Sequence, residues 1–194
     1  MLESCSGLEP QLRWAAPCLL PTPIYRDERG CFYEAYREEA FSQALGSSLF
    51  FLQDNYSHSR RGVLRGLHYQ KLYPQGKLVR VLSGAIFDVA VDLREASPSF
   101  GQWQGFWLDG EKAEGLWIPP GFAHGFLSLS EQVHLYYKCT DYYHPEDEKT
   151  IAWDDPTLGI SWPLEMAPQL SARDRAAATF LEQFPHRVES VMGR

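Results

Sequence analysis

The chain has 194 residues, 44% of them hydrophobic and 22% charged, with a formal net charge of −7 at pH 7. That length supports a single domain with a substantial core, and the composition is that of an ordinary globular protein. The acidic balance argues against bulk nucleic-acid binding, which needs a basic face, yet it allows an anionic small ligand held by a few placed Arg and Lys side chains.

Aromatic residues make up 14% of the chain, and there are 15 Gly and 13 Pro. Many short strands joined by tight turns fit these values better than a helix bundle does. The cysteines Cys5, Cys18, Cys31 and Cys139 show no metal-site spacing and read as free thiols of a reducing compartment. No apolar run approaches the roughly 18 residues of a membrane span. The N-terminus carries Glu3 and Glu9, and Pro17, Pro21 and Pro23 interrupt its most apolar part, unlike a signal peptide. A cytoplasmic protein with no membrane partner is expected.

In chain order, residues 1–11 read as a loose leader. A first strand is expected within Leu12–Leu20, ended by Pro21-Thr22-Pro23. Arg26 to Gly30 is a turn, and Cys31 to Tyr36 a strand. Glu38 to Leu45 is a short helix stopped by Gly46. Extended structure resumes from Leu49 to Tyr56 and continues near 62–70 and 77–83. Ser83-Gly84 turns the chain into the strand Ala85–Leu93, where Phe87, Val89, Val91 and Leu93 alternate with Asp88 and Asp92. Further strands are expected at 102–108, 114–118, 123–129 and 132–140, and one helix from Ser171 to about Gln183. Short, evenly spaced strands with few helices between them predict an all-β antiparallel sandwich or jelly-roll barrel. One domain is expected, with the jelly roll over 12–185 and a tail over 186–194.

Chemistry concentrates between Gly62 and Arg80. His68 lies on a strand, and strict alternation puts Leu64, Gly66, His68 and Gln70 on one face and Arg65 on the other. A bulge at Gly66 would bring Arg65 and His68 to one cavity. His68 is either a core histidine bonded to a carbonyl or a reactive base. His124 follows the turn Pro119-Pro120-Gly121. The two histidine segments echo the two motifs of cupin barrels, but Gln70 stands where metal-binding cupins carry a second histidine, and no Glu follows at the matching spacing. Two histidines are a poor ligand set, so no metal is expected.

Tyr137 shares an inward face with Val133, Leu135 and Cys139, as a core aromatic or a general acid. Ser171-x-x-Asp174 has the spacing of a helix capping box, so Asp174 is either a cap residue or a partner for His68. Lys77 heads an apolar strand, as an edge charge or a cavity cation. Asp88, inside an apolar strand, needs a partner if buried, for which an Arg or Lys in the cavity would serve.

Taken together these segments resemble the dTDP-4-dehydrorhamnose 3,5-epimerase family of cofactor-independent cupin-fold enzymes. The resemblance rests on Asp27-Glu28-Arg29-Gly30, Gln53-Asp54-Asn55, Val63-Leu64-Arg65-Gly66-Leu67-His68, Gln75-Gly76-Lys77, Phe87-Asp88-Val89-Ala90-Val91-Asp92, Gly121-Phe122-Ala123-His124-Gly125-Phe126 and Leu170-Ser171-Ala172-Arg173-Asp174. It implies a base at His68, an orienting carboxylate at Asp174, an acid at Tyr137 and an oxyanion-stabilising lysine at Lys77. It further implies substrate contacts at Arg29, Glu34, Gln53, Asn55, Arg65, His124, Tyr143 and Glu148. The implied assembly is a homodimer with exchanged N-terminal strands, so that Arg29 and Glu34 serve the neighbouring subunit's site. The implied substrate is a dTDP-4-keto-6-deoxy sugar, on a route to dTDP-L-rhamnose. An epimerase acting at C3 or C5 alone, a metal-dependent cupin oxygenase and a non-catalytic sugar-nucleotide binding module remain alternatives.

Overall fold

A computed structural model of the chain describes residues 15–187. The expected leader, the first residues of the first expected strand and the end of the tail lie outside the described residues. The described residues contain twelve strands: β1 (Cys18–Leu20), β2 (Tyr25–Asp27), β3 (Gly30–Phe32), β4 (Gln53–Arg60), β5 (Leu64–Gln70), β6 (Lys77–Ser83), β7 (Ala85–Asp92), β8 (Trp103–Asp109), β9 (Gly115–Ile118), β10 (Phe122–Ser128), β11 (Gln132–Cys139) and β12 (Glu148–Thr150). Short helices α1 (Glu38–Leu45), α2 (Ala172–Arg175) and α3 (Phe180–Gln183) lie at the periphery.

Ten strands form two five-stranded antiparallel sheets, ordered β1-β9-β6-β11-β4 and β12-β5-β10-β7-β8, while β2 and β3 form a separate hairpin. Between the sheets lies one core, with Val79, Val81, Leu116, Ile118, Val133 and Leu135 from the first and Ile86, Ala90, Phe106, Phe122 and Phe126 from the second. Two further layers cover the outer faces. Phe100, Ile151, Leu158, Phe180 and Phe184 pack on Leu67, Phe87, Val89 and Val91. Phe41 and Leu45 of α1 pack on Leu20, Leu78 and Trp117. This is the expected jelly roll with few peripheral helices. Strand β7 is buried on both faces, which is why an aspartate can sit among its apolar residues without reaching solvent.

Several boundaries differ from expectation. The strand expected over Cys31–Tyr36 ends at Phe32, where its pairing with the three-residue β2 ends. The strand expected from Leu49 begins at Gln53, where pairing with β11 begins, while Leu49 and Phe51 pack beneath α1. The long C-terminal helix is two single-turn helices. Between them Ala178 bridges Ile151 and its carbonyl accepts from Ala152, so pairing overrides the helical preference of the alanines. Thr179 then starts α3 with a reciprocal capping box to Glu182. Strand β12 was not expected, since the polar run Glu148-Lys149-Thr150 carries no apolar alternation.

Candidate active site

A cavity of about 320 Å³ opens between the sheets, lined by Gln53, Asn55, Ser57, Arg65, His68, Gln75, Lys77, His124, Gly125, Phe126, Tyr137, Tyr143 and Glu148. How Arg65 and His68 both reach it depends on Gly66. Strand β5 pairs His68 with His124 and Arg65 with Phe126, so β5 spends one residue more than β10 over that interval. The extra residue forms a bulge that restores both side chains to one face. The strands approach so closely that a Cβ on Gly66 would lie 2.6 Å from Gly125 Cα, and Gly66 adopts φ +117°.

His68 Nε2 lies 2.6 Å from Asp174 Oδ1. Asp174, 4% exposed, sits in the first turn of α2. Its N–H donates to Ser171 Oγ at 3.1 Å, and the Ser171 hydroxyl donates to Asp174 Oδ2 at 2.7 Å. The two readings of this aspartate therefore coexist: the capping serine fixes the carboxylate that meets His68. Burial pushes the Asp174 pKa up, but hydrogen bonds from His68, Ser171 and the Gly66 backbone outweigh it and hold the carboxyl below its ordinary value. With Nε2–H donated to that carboxylate, Nδ1 of His68 keeps a lone pair for a substrate proton.

Across the cavity, burial pushes the Tyr137 phenol up, so it remains a proton donor through neutral pH. Lys77 is pulled down by burial, opposed by the charges of Cys139 and Asp88. Asp88 is fully buried and its Oδ2 accepts from His124 Nε2 at 2.8 Å. Burial raises the Asp88 pKa against the opposing pull of His124 and Lys77. The partner of Asp88 is thus a histidine with a lysine nearby, rather than a directly bonded Arg or Lys.

Of the residues expected to touch substrate, Gln53, Asn55, Arg65, His124, Tyr143 and Glu148 line the cavity. Arg65 donates to Ser59 Oγ and the His58 carbonyl, which steadies its guanidinium at the wall. Arg29 and Glu34 lie outside this cavity: Arg29 pairs with Asp27 in the exposed hairpin, and Glu34 pairs with Arg37 beside α1. Ser57, Gln75, Gly125 and Phe126 also line it and were not anticipated as site residues. Ser57 could have been found by alternation, since Gln53, Asn55 and Ser57 share one face of β4. Arg173, adjacent to Asp174, pairs with Glu148, and no local pattern announces that contact. Among the described residues no group of three His, Cys, Asp or Glu side chains is arranged to hold a metal ion. Nor is any helix among them long and apolar enough to cross a membrane.

Residues 15–182 match the family model described as dTDP-4-dehydrorhamnose 3,5-epimerase. The chain belongs to this family. An epimerase of that name from Pseudomonas aeruginosa is 54% identical over 159 residues, covering 82% of this chain and 88% of the relative. The crystal structure of a dTDP-6-deoxy-D-glucose-3,5-epimerase from Legionella pneumophila in complex with dTDP-4-keto-L-rhamnose aligns with TM-score 0.82 and 53% identity, covering 84% of this chain and 87% of that one. A 3'-monoepimerase from Streptomyces bikiniensis in complex with dTDP-quinovose aligns with TM-score 0.81 at 34% identity, covering 92% of this chain and 94% of that one. As a dTDP-4-dehydrorhamnose 3,5-epimerase family member, the chain carries a histidine–aspartate dyad, a tyrosine and a lysine around one cavity.

Proposed function

We propose that this chain inverts C3 and C5 of dTDP-4-dehydro-6-deoxy-D-glucose to give dTDP-4-dehydro-L-rhamnose, a cytoplasmic step of dTDP-L-rhamnose biosynthesis. The observation that carries this reading is the His68–Asp174 contact at 2.6 Å on the wall of a cavity also lined by Tyr137 and Lys77. Both carbons flank the C4 ketone, so either can lose its proton to give an enolate. His68 takes the proton from one face, and Asp174 holds its tautomer and balances the imidazolium. Lys77 offsets charge on the enolate oxygen. Tyr137 returns a proton to the opposite face, which inverts the centre. The sequence is redox-neutral, and His68 and Tyr137 regain their starting states by exchange with solvent, so the chemistry calls for no cofactor.

Gln53, Asn55, Arg65, His124, Tyr143 and Glu148 hold the nucleotide and its phosphates in this reading, Arg65 through a guanidinium suited to phosphate oxygens. Arg29 and Glu34 serve a neighbouring subunit's cavity in a homodimer. Their placement away from their own cavity, and the 66% and 70% exposure of Tyr25 and Phe32 on the hairpin, support that role.

Inversion at one carbon alone would use the same four residues, and a monoepimerase shares the fold at 34% identity. Incubating the enzyme with dTDP-4-keto-6-deoxyglucose in D₂O separates the two. Deuterium at both C3 and C5 is expected, and label at one carbon alone would limit the enzyme to a single inversion.

A further inference from the structure

Gln70, the last residue of β5, has no part in the proton transfers, yet it is 5% exposed and its carboxamide is fully engaged. Its Nε2 donates to the carbonyls of Tyr73 at 2.7 Å and Tyr142 at 3.2 Å, and its Oε1 accepts from the His144 N–H at 2.7 Å. These partners lie on two different loops, residues 71–76 after β5 and 140–147 after β11. Buried Asp147 adds a second tie, accepting from the N–H groups of Leu72 at 2.8 Å and Tyr73 at 2.9 Å. The Tyr73 and His144 rings stack at 4.2 Å across the same junction.

Tyr143 sits between the two residues of the second loop that Gln70 holds. No strand or helix fixes it, but its own N–H donates to Gln53 Oε1 at 2.8 Å and its hydroxyl donates to Glu148 at 2.7 Å. Three consecutive backbone positions, 142 to 144, are thus pinned by glutamine carboxamides, and the middle one supplies a cavity wall. The reacting groups are held otherwise. His68, Lys77 and Tyr137 lie on β5, β6 and β11, each flanked by a strand on both sides.

We propose that Gln70, with Asp147, is a positioning residue that fixes the Tyr143 wall and so sets affinity for the nucleotide part of the substrate. The proposal rests on the epimerase reading above. Loosening the clamp weakens binding and spares chemistry, because the strands carrying His68, Lys77 and Tyr137 are held by ladders to neighbours on both sides.

Gln70→Met keeps length and removes every hydrogen bond, and about a tenfold rise in KM with kcat within about twofold is expected. Calorimetric titration with dTDP should show a matching loss of affinity. Asp147→Asn keeps an acceptor oxygen and is the milder variant, expected to raise KM about threefold. Thermal melts verify that each variant is folded. If Gln70 acts through Tyr143, Gln70→Met adds less than about twofold to the KM of Tyr143→Ala. A fall in kcat at unchanged KM, or fully additive effects in that cycle, would overturn the proposal. Should the wild type leave the keto sugar unlabelled in D₂O, the epimerase reading fails, while the dTDP titrations still decide whether the clamp sets affinity. Equal dTDP affinity in wild type and both clamp variants would also overturn it.

Discussion

Asp174 does two things with one carboxylate. It receives the Ser171 hydroxyl at the start of α2 and meets His68 across the bulge of β5. Its lowered pKa keeps it ionised at neutral pH, as the proposed mechanism requires of a partner to an imidazolium. Asp174→Asn preserves shape and removes that charge, and a fall in kcat of about 10² to 10⁴ is expected in steady-state assays. Asp92 shows the same physics without catalysis. Burial pushes its carboxyl up, but Arg94, Ser97 and Ser99 outweigh this and hold it at about 2. A depressed folded pKa gives stability that is complete above the unfolded value and lost as pH falls through the folded one. Asp92→Asn should therefore cost about 2 kcal/mol at neutral pH, a gap that closes in urea titrations repeated from about pH 4 down to about pH 2.

At the scale of elements, the site depends on one glycine in one strand. Gly66→Ala would put a Cβ 2.7 Å from the His124 carbonyl as well as against Gly125, at a φ that L residues rarely adopt. The atoms it would meet are all backbone of β10, so no side chain can yield. A loss of at least about 2 kcal/mol in denaturant titrations, with activity abolished, is expected. A fully active, equally stable variant would show that the bulge does not place Arg65 and His68. Alternation made most strands legible, and α1 was readable from its Gly46 stop, because these features depend on near neighbours in the chain. A glycine two residues before His68 was enough to suggest the bulge. What stayed hidden depends on distant partners: the tie of Ala178 to Ile151 that splits the last helix, the pairing of β12 with β5, and the loop clamp at Gln70. The segments that resemble the family named the dyad, whereas residue spacing alone left Asp174 as cap or partner, 106 positions from His68.

The whole molecule leaves Arg29 and Glu34 away from the cavity that the other expected residues share. In the proposed homodimer each site combines one subunit's barrel with the other's hairpin. Arg29→Ala and His68→Asn should each be poorly active or inactive alone. Mixed and allowed to exchange subunits, they should recover activity, because one site of the mixed dimer is intact in both parts. No recovery, together with a monomeric sedimentation profile, would remove the exchange. The claim on which the mechanism rests is that His68 is the base at this cavity. Its most direct test is His68→Asn, assayed for deuterium uptake from D₂O into dTDP-4-keto-6-deoxyglucose and for dTDP affinity by calorimetry. Uptake at C3 and C5 should vanish while affinity stays within about threefold of wild type. Uptake at the wild-type rate would contradict it.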